Sequence, residues 1–331
     1  MAGPTLFPQV TPRVHLKTVQ SLGSIFPKVV SPDARDSALI IGDSAKVLSK
    51  FPDGLFQTCV TSPPYWSLRD YDIEGQIGLE DDVDAYIDSL RRVFDQVRRV
   101  LRDDGTLWLN IGDSYTSGGR TWRAPDKKNP VRAMDIRPPT PEGLKPKDLI
   151  GIPWRLAFAL QAAGWYLRAD IIWNKPNCQP ESVKDRPTRS HEYLFLFSKS
   201  ERYRYQNDEV RGPNERNLRT VWDINTQAFR DAHFATFPPA LVNPCLALSA
   251  REDDLVLDPF SGSGTTGVVA LDLGRRFVGI ELNPRYMEIA ERRLKWFGGH
   301  GSAVRGRGVR GETAEMGRAN DADVSRLHGL A

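Results

Sequence analysis

Apolar and polar positions along this chain follow two different periods. Short apolar runs at residues 38–41, 56–60, 106–111, 168–173, 193–197, 255–258 and 277–281 each predict a strand. Between the second and third of these, Val83, Tyr86, Ile87, Leu90, Val93, Phe94, Val97, Val100 and Leu101 recur at spacings of three and four, which predicts an amphipathic helix closed off before Gly105. Helical stretches are also expected from Ser44, over 148–163, near 239–249, after a glycine-rich turn at 261–267, and from Pro284. Asn283 and Pro284 suit the N-cap and first-turn positions of that last helix. About seven strands alternating mostly with helices give an α/β fold around a largely parallel sheet. The two strands flanking the glycine-rich turn cannot make a stable sheet alone, so they join the five earlier ones in a single domain over 37–297.

Composition narrows the picture. Of 331 residues, 40% are hydrophobic and 26% charged, which excludes wholesale disorder. There is no apolar run of membrane-spanning length and no charged-then-apolar leader, so neither a membrane span nor a secretory signal is expected, and the cytoplasm is the expected compartment. Residues 1–36, rich in Pro, Ser and Thr, read as a flexible arm, and 298–331 as a disordered Gly/Arg tail. Cys59, Cys178 and Cys245 show no paired spacing and the five histidines are scattered, so no metal site is expected.

The net charge of +3 says little, but its distribution says more. Residues 113–147 hold eight Lys/Arg against four Asp/Glu, and 175–219 hold ten against seven. Two irregular basic segments suggest a polyanion footprint, with solvated surface loops as the bland alternative.

Candidate chemistry concentrates in two segments. Asp258-Pro-Phe-Ser-Gly-Ser-Gly-Thr-Thr-Gly267 follows a strand and opens a helix, and Gly262, Gly264 and Gly267 match G-x-G-x-x-G. A dinucleotide is one reading, with Glu281 at the next strand end on the ribose hydroxyls. S-adenosylmethionine suits the same geometry, because its ribose needs an acid and its carboxylate suits a helix N-terminus. Asp258 favours the latter: a carboxylate there repels a pyrophosphate but accepts from an ammonium. Helix capping is the other reading of Asp258.

The second segment, Thr61-Ser-Pro-Pro-Tyr-Trp66, leaves the carboxyl end of a strand, where α/β sheets bind ligands. Pro63 and Pro64 fix φ and lack N–H groups, so the exit is stiff and its carbonyls stay free. Ser62 and the Pro63 carbonyl can then accept both hydrogens of one planar amino group. Tyr65 offers a ring for stacking a heterocycle, and Trp66 extends that wall. An edge turn with a packed tyrosine is the bland alternative.

Together these segments resemble the amino-methylating DNA methyltransferases of bacteria and phages, in the permuted β class, where Ser-Pro-Pro-Tyr precedes the cofactor motif. Gly279-Ile-Glu-Leu-Asn283, Gly42-Asp43-Ser44 and His233-Phe-Ala-Thr-Phe-Pro238 extend the likeness, which covers roughly residues 37–297. The resemblance implies a Rossmann-like, circularly permuted sheet and S-adenosyl-L-methionine as cofactor. It implies a cofactor site of Asp43, Thr61, Asp258, Phe260, Ser261, Gly262, Ser263, Gly264, Thr265, Thr266, Glu281 and Asn283, with Ser62, Pro63, Pro64 and Tyr65 as the catalytic segment. It implies double-stranded DNA as partner, read by inserts at 113–147 and 199–232. Expected DNA contacts are Trp66, Lys127, Lys128, Arg132, Lys175, Arg186, Arg189 and His191, with the loop from Trp173-Asn-Lys-Pro176 through Arg189 and His191 closing over a flipped base, and a hydrogen-bonded structural histidine as the other reading of His191. A homodimer and a cognate restriction endonuclease are further partners of that family. Ser rather than Asp or Asn before Pro-Pro-Tyr points to cytosine N4, with adenine N6 as the alternative. A nicotinamide-dependent oxidoreductase leaves Ser-Pro-Pro-Tyr unexplained, and intact Ser62, Pro63 and Pro64 argue against a silent DNA-binding regulator. Pro244-Cys245 looks like a cytosine-C5 nucleophile, but it lies in an apolar helical stretch before the cofactor strand and reads as core.

Overall fold

The computed structural model describes residues 14–18, 37–116, 139–211, 216–227 and 237–300. Nine strands of the described residues form one sheet: β1 (Val14–Thr18), β2 (Ser37–Ile41), β3 (Phe56–Thr61), β4 (Leu101–Ile111), β5 (Tyr166–Asn174), β6 (His191–Ser198), β7 (Val221–Asp223), β8 (Leu255–Asp258) and β9 (Arg276–Glu281). Among the described residues six helices accompany them: α1 (Ser44–Leu48), α2 (Val83–Val100), α3 (Ile152–Ala162), α4 (Pro239–Ser249), α5 (Thr265–Asp272) and α6 (Pro284–His300). The strand order is β1-β2-β9-β8-β3-β4-β6-β5-β7. All seven expected strands are present. The two additional ones lie at the edges, where pairing on one side holds segments with little pattern of their own. One of them, β1, falls inside the stretch read as a flexible arm and pairs in parallel with β2.

Side chains alternate between two apolar layers. Ala38, Ile40, Cys59, Leu107 and Leu109 pack with α1, α2 and α3, whereas Leu39, Val60 and Trp108 pack with α4, α5 and α6. Strands covered on both faces read as continuous apolar runs. The α2 stripe is buried as the spacing predicts, but the chain turns straight into β4 at Leu101, the extended C-cap residue, rather than at Gly105. The helix expected from residue 148 starts at Ile152 instead, after Gly151 adopts a left-handed conformation. Among the described residues, no helix is long and apolar enough to cross a membrane.

Register explains where a site can form. Strand β3 pairs in parallel with β8 (Thr58 beside Val256) and with β4, and β8 pairs in parallel with β9. The carboxyl ends of β2, β9, β8, β3 and β4 therefore share one rim. Strand β6 runs antiparallel to β4 and β5, so its amino end, His191, joins that rim beside Asn174, the carboxyl end of β5.

Candidate active site

Two stretches far apart in sequence meet on this rim. The Thr61 Oγ1 hydroxyl, last in β3, donates to Asp258 Oδ1, last in β8, at 2.7 Å. The Phe260 N–H donates to the same oxygen at 3.1 Å. Asp258 Oδ2 is buried and, among the described residues, has no hydrogen-bond partner. Burial lifts the Asp258 pKa to about 6, against the lowering effect of the Thr61 and Thr266 hydroxyls and the Phe260 N–H. An orphaned buried acceptor of this kind calls for a donor.

The glycine turn is held from several sides. Glu281 accepts from the Gly262 N–H at 2.8 Å on one oxygen and from the Asn283 N–H at 2.9 Å on the other. A carboxylate has about four acceptor positions, so about two remain open. Burial pushes the Glu281 pKa up to about 7, partly offset by those two N–H groups. Gly264 sits at φ 79°, and a Cβ there would lie 2.8 Å from Leu294 Cδ1, so both conformation and space require glycine. Arg293 of α6 donates to the Ser263 carbonyl at 2.7 Å and to Thr265 Oγ1 at 3.2 Å, fastening the turn to the following helix. Thr266 donates to the Val60 carbonyl at 3.2 Å, a further tie to β3, and the buried Ser261 Oγ has no partner among the described residues. Asp43 caps α1 by accepting from the Lys46 N–H, and Asn283 accepts from the Arg285 N–H at the start of α6. Phe260 packs edge-on against Phe94 in the core layer.

On the other side of β3, Pro63 is buried, while Ser62, Pro64 and Tyr65 are half-buried. The Tyr65 hydroxyl donates to Glu192 Oε2 at 2.8 Å, and the Ser62 Oγ lies 3.4 Å from that hydroxyl. Burial, and secondarily the Glu192 charge, raises the Tyr65 pKa well above the ordinary phenol value, so its proton stays in place. The Pro64 carbonyl is engaged by the Tyr86 hydroxyl at 2.8 Å.

Residues 56–292 of the chain match the family model described as DNA methylase. The chain belongs to the DNA methylase family. This methylase is 60% identical over 263 residues to the Type II methyltransferase M.Cfr9I of Citrobacter freundii, which covers 78% of the chain and 88% of that relative. It is 59% identical over 266 residues to the Type II methyltransferase M.SmaI of Serratia marcescens, covering 78% and 91%. Among solved structures, a putative DNA modification methylase of Thermus thermophilus, complexed with S-adenosyl-L-methionine, is similar at a TM-score of 0.56 and 28% identity, covering 78% of this chain and 94% of that one. The cytosine-N4-specific PvuII DNA methyltransferase shares the fold at a TM-score of 0.61 and 21% identity, over 88% and 93%. The methylase takes its methyl group from S-adenosyl-L-methionine and acts on an exocyclic amine of DNA. Its residues fit that cofactor: Asp258 has a buried oxygen without a donor, and Glu281 keeps acceptor capacity after binding two N–H groups.

Several residues expected to contact DNA have partners within the fold. Trp66 is 3% exposed and its Nε1 donates to the Glu80 carbonyl at 2.9 Å, so it is a core residue and not a stacking wall. Lys175 pairs with Glu192 and lies 4.3 Å over the Trp173 ring, which commits its charge inside the site. Arg189 faces Asp113 at 3.7 Å, and Arg186 pairs with Glu181 and stacks 3.9 Å over Tyr115. His191 packs edge-on against Tyr193, and its pKa is lowered by burial and then by Arg189 and Lys175. Lys127, Lys128 and Arg132, like His233 and its neighbours, lie outside the described residues. Cys245 is buried with its thiol donating to the Leu241 carbonyl, as a core residue should be.

Three residues at the site carry no mark in the sequence reading. Glu192 accepts from both Tyr65 and, across the β4–β6 pairing, Asn110, and Asp113 caps α3 by accepting from the Gly151 and Ile152 N–H groups, both at 3.0 Å. An acid opening the otherwise apolar strand β6 is the one signal that marks Glu192 beforehand.

Proposed function

We propose that this methylase modifies cytosine at N4 in duplex DNA, with Ser62 and the Pro63 carbonyl accepting the two amino hydrogens. The observation that carries this reading is the Thr61–Asp258 hydrogen bond, because it fixes the Ser-Pro-Pro-Tyr exit directly beside the glycine turn. An exocyclic amine is a weak nucleophile, since its lone pair is delocalised into the ring. Two acceptors on its hydrogens favour a pyramidal nitrogen, and transfer then rests on positioning and fixed dipoles rather than a strong base. When bound, S-adenosyl-L-methionine supplies an electrophilic sulfonium methyl. Asp258 holds its ammonium, Glu281 takes its ribose hydroxyls, and Asp43, Phe260 and the 261–266 turn line the rest.

The base must leave the duplex, at a cost of a few kcal/mol. Stacking on the half-buried Tyr65 ring returns about 1–3 kcal/mol, and Lys/Arg contacts to phosphates supply the remainder. The likeness to Type II methyltransferases supports a restriction-modification role with a cognate endonuclease, in the cytoplasm. Sequencing host DNA with and without the expressed protein, by a readout that separates N4-methylcytosine from N6-methyladenine, tests base and site together. Ser62→Ala should abolish most transfer while leaving cofactor binding intact; full turnover in that variant would refute the role of Ser62.

A further inference from the structure

Glu192 gathers three polar partners at the amino end of β6. Its Oε2 receives the Tyr65 hydroxyl at 2.8 Å and the Asn110 amide nitrogen at 3.1 Å, and its Oε1 faces the Lys175 ammonium. Ser62 completes the chain from 3.4 Å beyond the Tyr65 oxygen. Side chains of the Glu192–Lys175 pair are 18% and 16% exposed, so water competes little for these bonds.

Donor capacity fixes the direction of this chain. An ammonium only donates, and the Asn110 amide nitrogen also serves the Tyr193 carbonyl at 3.1 Å, so its orientation is set by two acceptors. A carboxylate only accepts, which commits the single Tyr65 hydrogen to Glu192. The Tyr65 oxygen is then left as an acceptor, and the one hydrogen of Ser62 turns towards it. The lone pairs of Ser62 consequently face away from Tyr65, towards whatever lies beyond the strand exit.

We propose that Glu192 is a positioning residue that orients the Tyr65 and Ser62 hydroxyls so that Ser62 meets its target as a hydrogen acceptor. A base amine satisfies that acceptor, whereas a keto oxygen at the same place sets lone pair against lone pair. The chain thereby selects amino-bearing bases over thymine and guanine at their keto edges. This inference rests on the reading of Ser62 as the amine acceptor.

The test is a double-mutant cycle on the full-length enzyme, following tritiated methyl incorporation from S-adenosyl-L-methionine into unmodified genomic DNA. Glu192→Gln and Tyr65→Phe should each lower kcat about tenfold, the size of one oriented hydrogen bond, with the KM for the cofactor unchanged. The double variant should be no slower than either single one, because both break the same chain. Losses that multiply to about a hundredfold would show two independent roles and overturn the proposal. Tyr65→Phe removes one hydroxyl and leaves Lys175 and Asn110 on Glu192, so it stands as the test should Glu192→Gln not fold; full activity in it sinks the idea. Ser62→Ala separates the two readings: inactivity there with full activity in Glu192→Gln removes only the Glu192 role, whereas full activity in Ser62→Ala removes the Ser62 reading itself.

Discussion

The Thr61 hydroxyl sits 2.7 Å from the Asp258 carboxylate, although 197 residues separate them. The bond joins the last residue of one strand to the last of its neighbour, so the acid proposed to hold the cofactor and the segment proposed to clamp the base share a single mechanical joint. Thr61→Val keeps the shape and removes the donor. Stability should fall by about 2 kcal/mol, the cost of stripping a donor from a buried carboxylate. The Asp258 pKa should also climb above its present value of about 6. Thermal denaturation and calorimetric titration with S-adenosyl-L-methionine would register both changes.

Cofactor affinity should depend on pH through Glu281 and Asp258. Their pKa values stand at about 7 and about 6, and both must be ionised to accept from the ribose hydroxyls and the ammonium. Binding therefore releases protons at acidic pH, and affinity should drop as pH falls below about 7 and more steeply below about 6. Calorimetry in two buffers of different ionisation enthalpy measures that release, and Glu281→Gln should erase its upper part.

The same group shapes the stability of the free protein. The folded-state pKa of Glu281, about 7, exceeds the ordinary value of 4.5, so the folded state binds the proton more tightly than the unfolded one. The contribution is fully present below pH 4.5 and is lost as pH rises towards 7. Melting curves of Glu281→Gln against the parent protein should show a flatter pH dependence across that window.

Trp66 provides a test of its reassignment to the core. Trp66→Ala should cost about 3–5 kcal/mol of stability, as for other buried tryptophans. Trp66→Phe should retain DNA affinity within error in a filter-binding titration. A marked loss of DNA binding in that folded variant would return Trp66 to the interface.

Gly112, just past β4, lies against Tyr65 and Glu192. A Cβ there would stand 2.9 Å from Tyr65 Cε2 and 3.3 Å from Glu192 Cγ. Gly112→Ala should push the ring and the carboxylate apart and slow methyl transfer about tenfold, one hydrogen bond's worth. Calorimetric cofactor affinity should stay unchanged, since the glycine turn is on the other side of β3.

The sheet, its helices and the two chemical segments are legible in the sequence because each is a local pattern. A period in the apolar residues marks the strands and α2, and Pro-Pro or clustered glycines mark the turns. Glu192 is not legible, since its meaning comes from the antiparallel pairing of β6 with β4, a contact that no local pattern encodes. Charge counting does not show the partners of Lys175, Arg186 and Arg189 for a related reason. Each is answered by an acid or an aromatic ring, and for Arg189 that acid, Asp113, belongs to the other basic stretch. A tally of lysines and arginines cannot distinguish a charge already spoken for from one left to meet a phosphate. The edge strand β7 is too short, at three residues, to leave a period behind it.

The placement of β8 and β9 bears on how this polypeptide comes off the ribosome. Among the described strands they are the last made, yet they lie between β2 and β3, which are among the first. With strands spaced about 4.8 Å apart, β2 and β3 end up about 14 Å from each other. A nascent chain that stops short of residue 255 holds two half-built edges around a gap wide enough for two strands. Translation must therefore pass residue 281 before the two edges are bridged, and enzyme activity should switch on abruptly rather than accumulate with length.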